Sequence, residues 1–440
     1  MLIARLRRRT ELGLIIIGAV IIAGAYALAS LGHTASLPAD IVPFLGVVLG
    51  LVVLAHLAIR RFARYADGLL LPVAGLLNGF GYIMIARLDS KLAGLQAVWS
   101  AVGIAAFIAT LIVVRRGRDL QRYRYTLLLL GIVLLMLPMS PLGKEVNGAR
   151  VWISLGSMSF QPGEIAKLCL VVFMASYLVT NRELLGMATW PRIRPILPHP
   201  KYLGPLLVAI GIALAMLVVQ NDFGQSLVLI TLFIVMLWVG TGRVGYLAVG
   251  FGAFAAGAYL AVHHVAHVRA RFDVWLHPWA SYHEVGGGYQ VAQGAYALAW
   301  GGLTGTGLGL GSPGLVPEAQ NDFIFAVIGE ELGVAGTTIV LVAYLILIGC
   351  GLRIAARATD RFDSLLAVGL TTLLGFQSFI IIGGVTRVLP LTGVALPFVS
   401  YGGSSLVASY VLLALLVRVS DESTRRATEE RAHADVAVEV

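Results

Sequence analysis

Long apolar runs alternate with short polar interruptions along this chain, and the length of the runs carries the first conclusion. Apolar stretches lie near 13–31, 41–59, 68–86, 95–114, 125–139, 163–180, 203–219, 224–241, 244–263, 324–352, 364–386 and 404–417. A helix needs roughly 17 to 25 such residues to cross a bilayer, so about twelve transmembrane helices are predicted. Two runs, 125–139 and 203–219, are short, and only the turn QNDFG divides 203–219 from 224–241. Most runs are apolar all round, as expected where lipid and neighbouring helices both accept hydrocarbon. The predicted fold class is all-α, a polytopic integral membrane helix bundle.

Composition agrees. The 440 residues are 58% hydrophobic and only 12% charged, against about 25% charged in an ordinary soluble domain, and mean hydropathy is +0.87. With the N-terminus inside, the 32 Lys and Arg fall on the cytoplasmic side except Arg87, Lys91, Lys144, Arg150, Arg269, Arg271 and Arg387, and Lys167 within a span. That is the positive-inside bias, and the net charge of +9 then calls for no nucleic acid. The Arg-rich start leads into a span too long for a signal-peptide core, so a retained signal anchor is expected. Cys169 and Cys350 sit within spans without paired spacing and read as buried thiols. The residues after Arg418 are charged and poor in apolar side chains, which predicts a disordered cytoplasmic tail over 419–440.

This topology sends the loops at 140–162, 220–223, 264–323 and 387–403 to the outer face. The 264–323 loop is far longer than a usual connection. Its aromatics, among them Trp275, Trp279, Tyr289, Tyr296 and Trp300, are of the kind that sit at headgroup level, and VAQGAYALAW suits an interfacial helix. The glycines at 286–288 and 305–311 follow no strand and open no crossover unit, so they read as flexible turns over a substrate groove rather than a nucleotide loop.

The segment from Gly305 to Gly333 carries four carboxylates, Glu318, Asp322, Glu330 and Glu331, into an otherwise apolar helix. An ionisable group there costs on the order of 3 kcal/mol, so it needs work or a partner. Asp322 stands just ahead of an apolar run where desolvation raises a carboxylate's proton affinity, and it is the candidate general base; the plain alternative is a helix cap. Glu330 and Glu331 read first as partners of a basic residue. Arg150 and Lys167 suit a phosphate group, and the rival reading of Lys167 is an ion pair with Glu164, one turn away. Asp222 and Arg387 are candidates for the rim of the same site. His263, His264 and His267 have helical spacing but no carboxylate, so packing is favoured over a metal site.

NGARVWISLG, FQPGEIAKL, QNDFGQSL, GYQVAQGAYALAWGGLTGTGLG, VPEAQNDFIFAVIGEELG and LPLTGVALPFVSYGGSSL together resemble the SEDS family of peptidoglycan glycosyltransferases (RodA, FtsW, SpoVE), over roughly residues 140 to 418. The resemblance implies polymerisation of lipid II into β-1,4 glycan strands on the outer face of the cytoplasmic membrane, in elongation or division. It makes Asp322 the catalytic residue, and the substrate-binding set expected beside it is Arg150, Trp152, Lys167, Asp222, Glu318 and Arg387. It also implies a class B penicillin-binding protein as transpeptidase partner, contact with the elongation or division machinery and with membrane lipid, and a divalent cation, Mg or Mn, at an unassigned position. The family core has ten spans, so the chain divides into 1–120 with two extra spans, a catalytic core 121–418, and the tail 419–440. Val151 stands where the family often has a second Arg, Ile381 where many members have Asn, and Arg387 where many have Gly; the last two changes are similar to the RodA branch rather than the FtsW branch, and the two extra spans are similar to those of high-GC Gram-positive relatives. The main rival is a lipid II flippase, which needs a polar path through the membrane centre; a third reading is a scaffold for a partner transpeptidase.

Overall fold

Each predicted apolar run lies on a helix in the computed structural model, which describes residues 2–36, 41–146, 148–155, 158–186, 200–282 and 288–439. In chain order the helices are α1 (Leu2–Thr34), α2 (Ile41–Phe62), α3 (Leu70–Leu88), α4 (Ser90–Val113), α5 (Gly117–Arg122), α6 (Arg124–Met136), α7 (Gly163–Thr180) and α8 (Arg182–Gly186). They continue as α9 (Pro200–Val219), α10 (Phe223–Thr241), α11 (Gly245–His264), α12 (Ala266–Leu276), α13 (Gly288–Gly301), α14 (Ile324–Arg357), α15 (Arg361–Val385) and α16 (Gly403–Glu439). Of the described helices, 10 are long and apolar enough to cross a membrane. The other two of the twelve predicted spans correspond to α2 and to the shorter α6. The protein is a polytopic helical membrane protein.

The all-α expectation has one local exception. Between α6 and α7 the chain forms β1 (Gly143–Val146), β2 (Ala149–Leu155) and β3 (Met158–Phe160), an antiparallel sheet in the order β1-β2-β3. Along β2, Val151 and Ile153 are buried while Arg150 and Trp152 are half-exposed, the alternation of a strand with one covered face.

Close helix approach depends on small residues and on buried polar links, since hydrocarbon contact alone gives no preference for helix over lipid. Gly103 of α4 leaves room for the Tyr410 ring of α16. Asn78 of α3 donates to the Tyr410 hydroxyl at 3.0 Å and to Ser100 Oγ of α4 at 3.3 Å, tying three helices at one point.

Two features correct the sequence reading. The tail expected to be disordered continues α16 to Glu439, and Val419 to Ser423 are buried. The cause is capping of loop backbone by tail side chains: Asp421 Oδ1 accepts from Tyr65 N at 2.7 Å, Ser420 Oγ from Asp67 N at 3.0 Å, and Glu422 Oε2 from Gly117 N at 3.1 Å. The second concerns the glycine run 305–311, which is a structural support rather than a flexible cover; the run 286–288 lies mostly outside the described residues. Helix α14 breaks at Gly333, whose φ of 64° and ψ of −162° are non-helical. The carbonyls of Glu330 and Glu331 accept from Thr306 N (2.9 Å) and Gly307 N (3.0 Å), while Val334 N and Ala335 N donate to Gly302 O (3.0 Å) and Leu303 O (3.2 Å). The glycine run thus satisfies the backbone groups that the break exposes, the condition for non-helical backbone inside a bundle. Positive φ at Gly305, Gly307 and Gly309 makes glycine the residue that fits there.

Candidate active site

The four loops expected to share one face do meet at one end of the bundle. Arg150 N donates to Gln220 O at 3.3 Å, Tyr401 N to Gln320 O at 2.8 Å, and Ser400 Oγ to Asn321 O at 2.6 Å. The last two bonds fix the backbone immediately before Asp322. Phe323, Ile324 and Phe325 are buried, and Gly294 of α13 leaves space for the Phe323 ring, so the first turn of α14 is held on its far side as well.

Asp322 is not a helix cap. The cap position of α14 is Phe323, with no side-chain capping bond. Among the described residues the Asp322 carboxylate has no hydrogen bond or ion pair, and it faces Gly393, where a Cβ would stand 3.7 Å from Oδ2. Burial, reinforced by the like charge of Glu318 and opposed by Arg271, pushes its pKa up to about 7. A carboxylate in this state is a proton acceptor near neutral pH.

Asp222 lies across the same loop end as the cap of α10, with Oδ1 accepting from Gln225 N at 3.0 Å and Oδ2 from Gln161 Nε2 at 3.4 Å. Burial drives its pKa up to about 6, against the Gln225 N–H and the charges of Lys167 and Arg271, with Glu164 adding to the rise. Behind it runs a polar chain. Gln225 Nε2 donates to Glu164 Oε1 at 2.7 Å, Lys167 Nζ to Glu164 Oε1 at 3.0 Å and to Gln377 Oε1 at 3.2 Å, and Gln377 Nε2 to Ala395 O at 3.1 Å. Of the two readings of Lys167, the ion pair with Glu164 is what the buried geometry shows.

The other predicted residues are placed differently. Arg150 turns its guanidinium back to Ser140 O at 3.1 Å, and Trp152 lies on β2 opposite Lys144. Arg387 adopts φ 60° and is clasped by α12 and the residues after it: Nη2 donates to Trp275 O at 3.2 Å, Trp275 Nε1 to Arg387 O at 2.9 Å, and its Cζ stands 4.7 Å from the Trp279 ring centroid. Glu318 is exposed, with φ 53°, and accepts from Asn321 Nδ2 at 2.6 Å. Glu331 is paired with Arg87 at 3.5 Å and accepts from Gly309 N at 3.0 Å, while Glu330 accepts from Ser312 N at 2.8 Å. His263 Nδ1 bonds Tyr259 O at 2.9 Å and His267 stacks on Phe223. Among the described residues no group of three or more His, Cys, Asp or Glu is placed to hold a metal.

Sequence reasoning missed Arg271 and Arg87. Arg271 of α12 donates through Nη1 to Leu391 O (3.3 Å) and Thr392 O (3.1 Å) and acts electrostatically on both Asp222 and Asp322. Arg87 donates to Gly309 O and Gly311 O, both at 3.1 Å. Each was visible only as a basic residue on the sparsely charged side.

The sequence pattern of the FtsW/RodA/SpoVE family, described as a cell cycle protein, matches residues 69–425. The chain belongs to this family. The RodA peptidoglycan glycosyltransferase of Mycobacterium tuberculosis is 43% identical over 95% of this chain and 92% of its own. A probable FtsW of Geobacter metallireducens is 33% identical over 83% of this chain and 96% of its own. Among solved structures, a chain from a peptidoglycan synthase complex studied for coordination of polymerization and crosslinking is 27% identical, with a TM-score of 0.67, covering 81% of this chain and 98% of that one. The FtsW/RodA/SpoVE match starts after α2 and ends within α16, so α1 and α2 precede it.

Proposed function

We propose that this chain is a peptidoglycan glycosyltransferase of the RodA type that polymerises lipid II, with Asp322 as general base. The observation that carries the reading is the Asp322 carboxylate, poised near neutrality and unspent on any described side chain, at the loop end where the family motifs converge. Joining an α-linked sugar diphosphate to an acceptor hydroxyl as a β-linkage inverts the anomeric centre. The hydroxyl oxygen bonds to that carbon, its proton passes to Asp322, and the carbon–oxygen bond to the diphosphate breaks with the electron pair leaving on the diphosphate. Inversion in one displacement asks for one base and for positive charge at the leaving group, with no second carboxylate as nucleophile.

The Lys and Arg distribution supports cytoplasmic termini and an extracytoplasmic active site, where the polyprenyl tail lies against the spans and the headgroup in the loop end. The solved peptidoglycan synthase complex that coordinates polymerization with crosslinking supports a class B penicillin-binding protein as partner, and the descriptions of the family as a cell cycle protein and of a solved relative as rod shape determining support a role in cell-wall elongation or division. A divalent cation, Mg or Mn, has no assigned protein site, since no group of three or more His, Cys, Asp or Glu among the described residues is placed to hold one. The flippase reading lacks a specific supporting observation, since the charged residues of the spans lie within a few turns of their ends rather than along a central path.

The test is polymerisation of purified lipid II by the purified full-length protein, alone and with a class B transpeptidase. Glycan strands of several disaccharides are expected, and are lost in Asp322→Asn. Transbilayer movement of lipid II without polymer, under conditions that support the partner's transpeptidation, would overturn the reading.

A further inference from the structure

The proposed reaction leaves one requirement open, a cation for the departing diphosphate, and the positions of the basic residues narrow the choice. Arg150 is turned to Ser140, Lys167 is bound by Glu164 and Gln377, and Arg387 is enclosed by two tryptophans. Arg271 is set apart by the reach of its charge to both Asp222 and Asp322. Only its Nη1 makes a described hydrogen bond, to two carbonyls of the 391–392 backbone, which leaves Nη2 and Nε as a two-donor edge of the kind that grips phosphate oxygens.

Its location is equally specific. The segment Thr392–Val394 is wedged between α10 and Asp322: Thr392 O lies 2.5 Å from where a Cβ on Gly224 would be, and Gly393 is the residue facing Asp322 Oδ2. Arg271 holds that segment and so stands beside both carboxylates. It forms an ion pair with neither, although its charge reaches both.

Resting on the glycosyltransferase reading, we propose that Arg271 binds the donor's diphosphate, and that the arriving anion withdraws from Asp322 the positive charge that Asp322 shares with Asp222. In the free enzyme the guanidinium holds both carboxylates more acidic than burial alone would leave them. Diphosphate neutralises that charge and adds its own, so Asp322 becomes the stronger base once the donor is bound. The other charged groups at this end are accounted for. Glu318 faces Asp322 from its own loop, Glu164 and Lys167 face Asp222 from α7, and His267 lies one turn before Arg271 on α12. From the 386–402 loop come the enclosed Arg387 and Tyr401, whose backbone N–H bonds Gln320. Helix α14 presents no charge before the engaged Glu330.

The test uses full-length protein in nanodiscs, wild type against Arg271→Gln and the charge-keeping Arg271→Lys, with undecaprenyl diphosphate as the binding probe and lipid II as substrate. Loss of charge-assisted hydrogen bonds should weaken diphosphate binding by about ten- to a hundredfold in Arg271→Gln, and less in Arg271→Lys. The acid limb of the kcat profile should lie at higher pH than that of kcat/KM in wild type, because the two report the loaded and free enzyme. In Arg271→Gln the kcat/KM limb should move up toward the kcat limb, and Arg271→Lys should restore the separation. Unchanged affinity in Arg271→Gln, or limbs that coincide in wild type, would overturn the proposal. The binding arm needs no turnover, so failure of wild type to polymerise lipid II would count against the glycosyltransferase reading while the affinity comparison still decides the diphosphate site.

Discussion

Helix α14 and the turn just ahead of it carry acidic residues at two places, and they have opposite fates. At the break, Glu331 is fully buried yet meets Arg87, and both Glu330 and Glu331 accept from glycine-loop N–H groups or their immediate neighbour. At the start, Asp322 has no such partner among the described residues, only the opposed influences of Glu318 and Arg271. The first pair is spent on holding a broken helix together, and the single aspartate is left available for a proton. Burial alone therefore does not mark a functional carboxylate; what marks it is burial that the surroundings leave uncompensated.

The largest effect that tests this contrast is on rate. Asp322→Asn should reduce polymerisation by about 10²- to 10⁴-fold, the usual worth of a general base, with insertion and folding intact. A mutant that melts normally and polymerises at the wild-type rate would erase the distinction.

Glu331→Gln should act in the opposite way. It leaves the partly buried Arg87 with its charge uncompensated, a loss of at most about 3–5 kcal/mol, the figure for a fully buried pair, seen as a lower melting temperature, while molecules that remain folded keep their dependence on pH. The paired replacement Arg87→Met with Glu331→Leu should recover much of that stability. A catalytic role for Glu331 would instead show as lost turnover at unchanged melting temperature.

An effect of similar size comes from linkage. The Asp322 pKa is raised in the folded state to about 7, whereas an unfolded aspartate titrates near about 3.9. The folded form thus holds its proton more tightly, and stability falls as pH rises from about 4 to about 7. Asp322→Asn should melt higher than wild type above pH 7 and no higher at pH 4. Activity runs the other way, declining as pH falls below about 7 and the base takes its proton. Melting curves and initial rates across this range check both signs.

The smallest expected change is for Glu318→Gln. Removing a like charge beside Asp322 should move the acid limb of kcat/KM to lower pH without loss of folding. A shift to higher pH would mean that Glu318 does not act on Asp322 by charge.

Much of this protein was legible without coordinates. Helix positions followed from run length, because a bilayer leaves the backbone of an isolated span no partner except itself, and that constraint needs no knowledge of neighbours. Asp322 was legible for a related reason: a carboxylate at the edge of an apolar run is costly wherever the run packs. The role of Glu331 was only half legible, since a partner was expected but Arg87, far away in the chain, could not be chosen from the other basic residues. The placing of Arg271 and the ordered start of the tail were decided by tertiary structure alone. Each depends on which backbone carbonyls and N–H groups come within about 3 Å of a side chain. Such distances arise from helix packing across hundreds of residues, and no local pattern in the sequence records them.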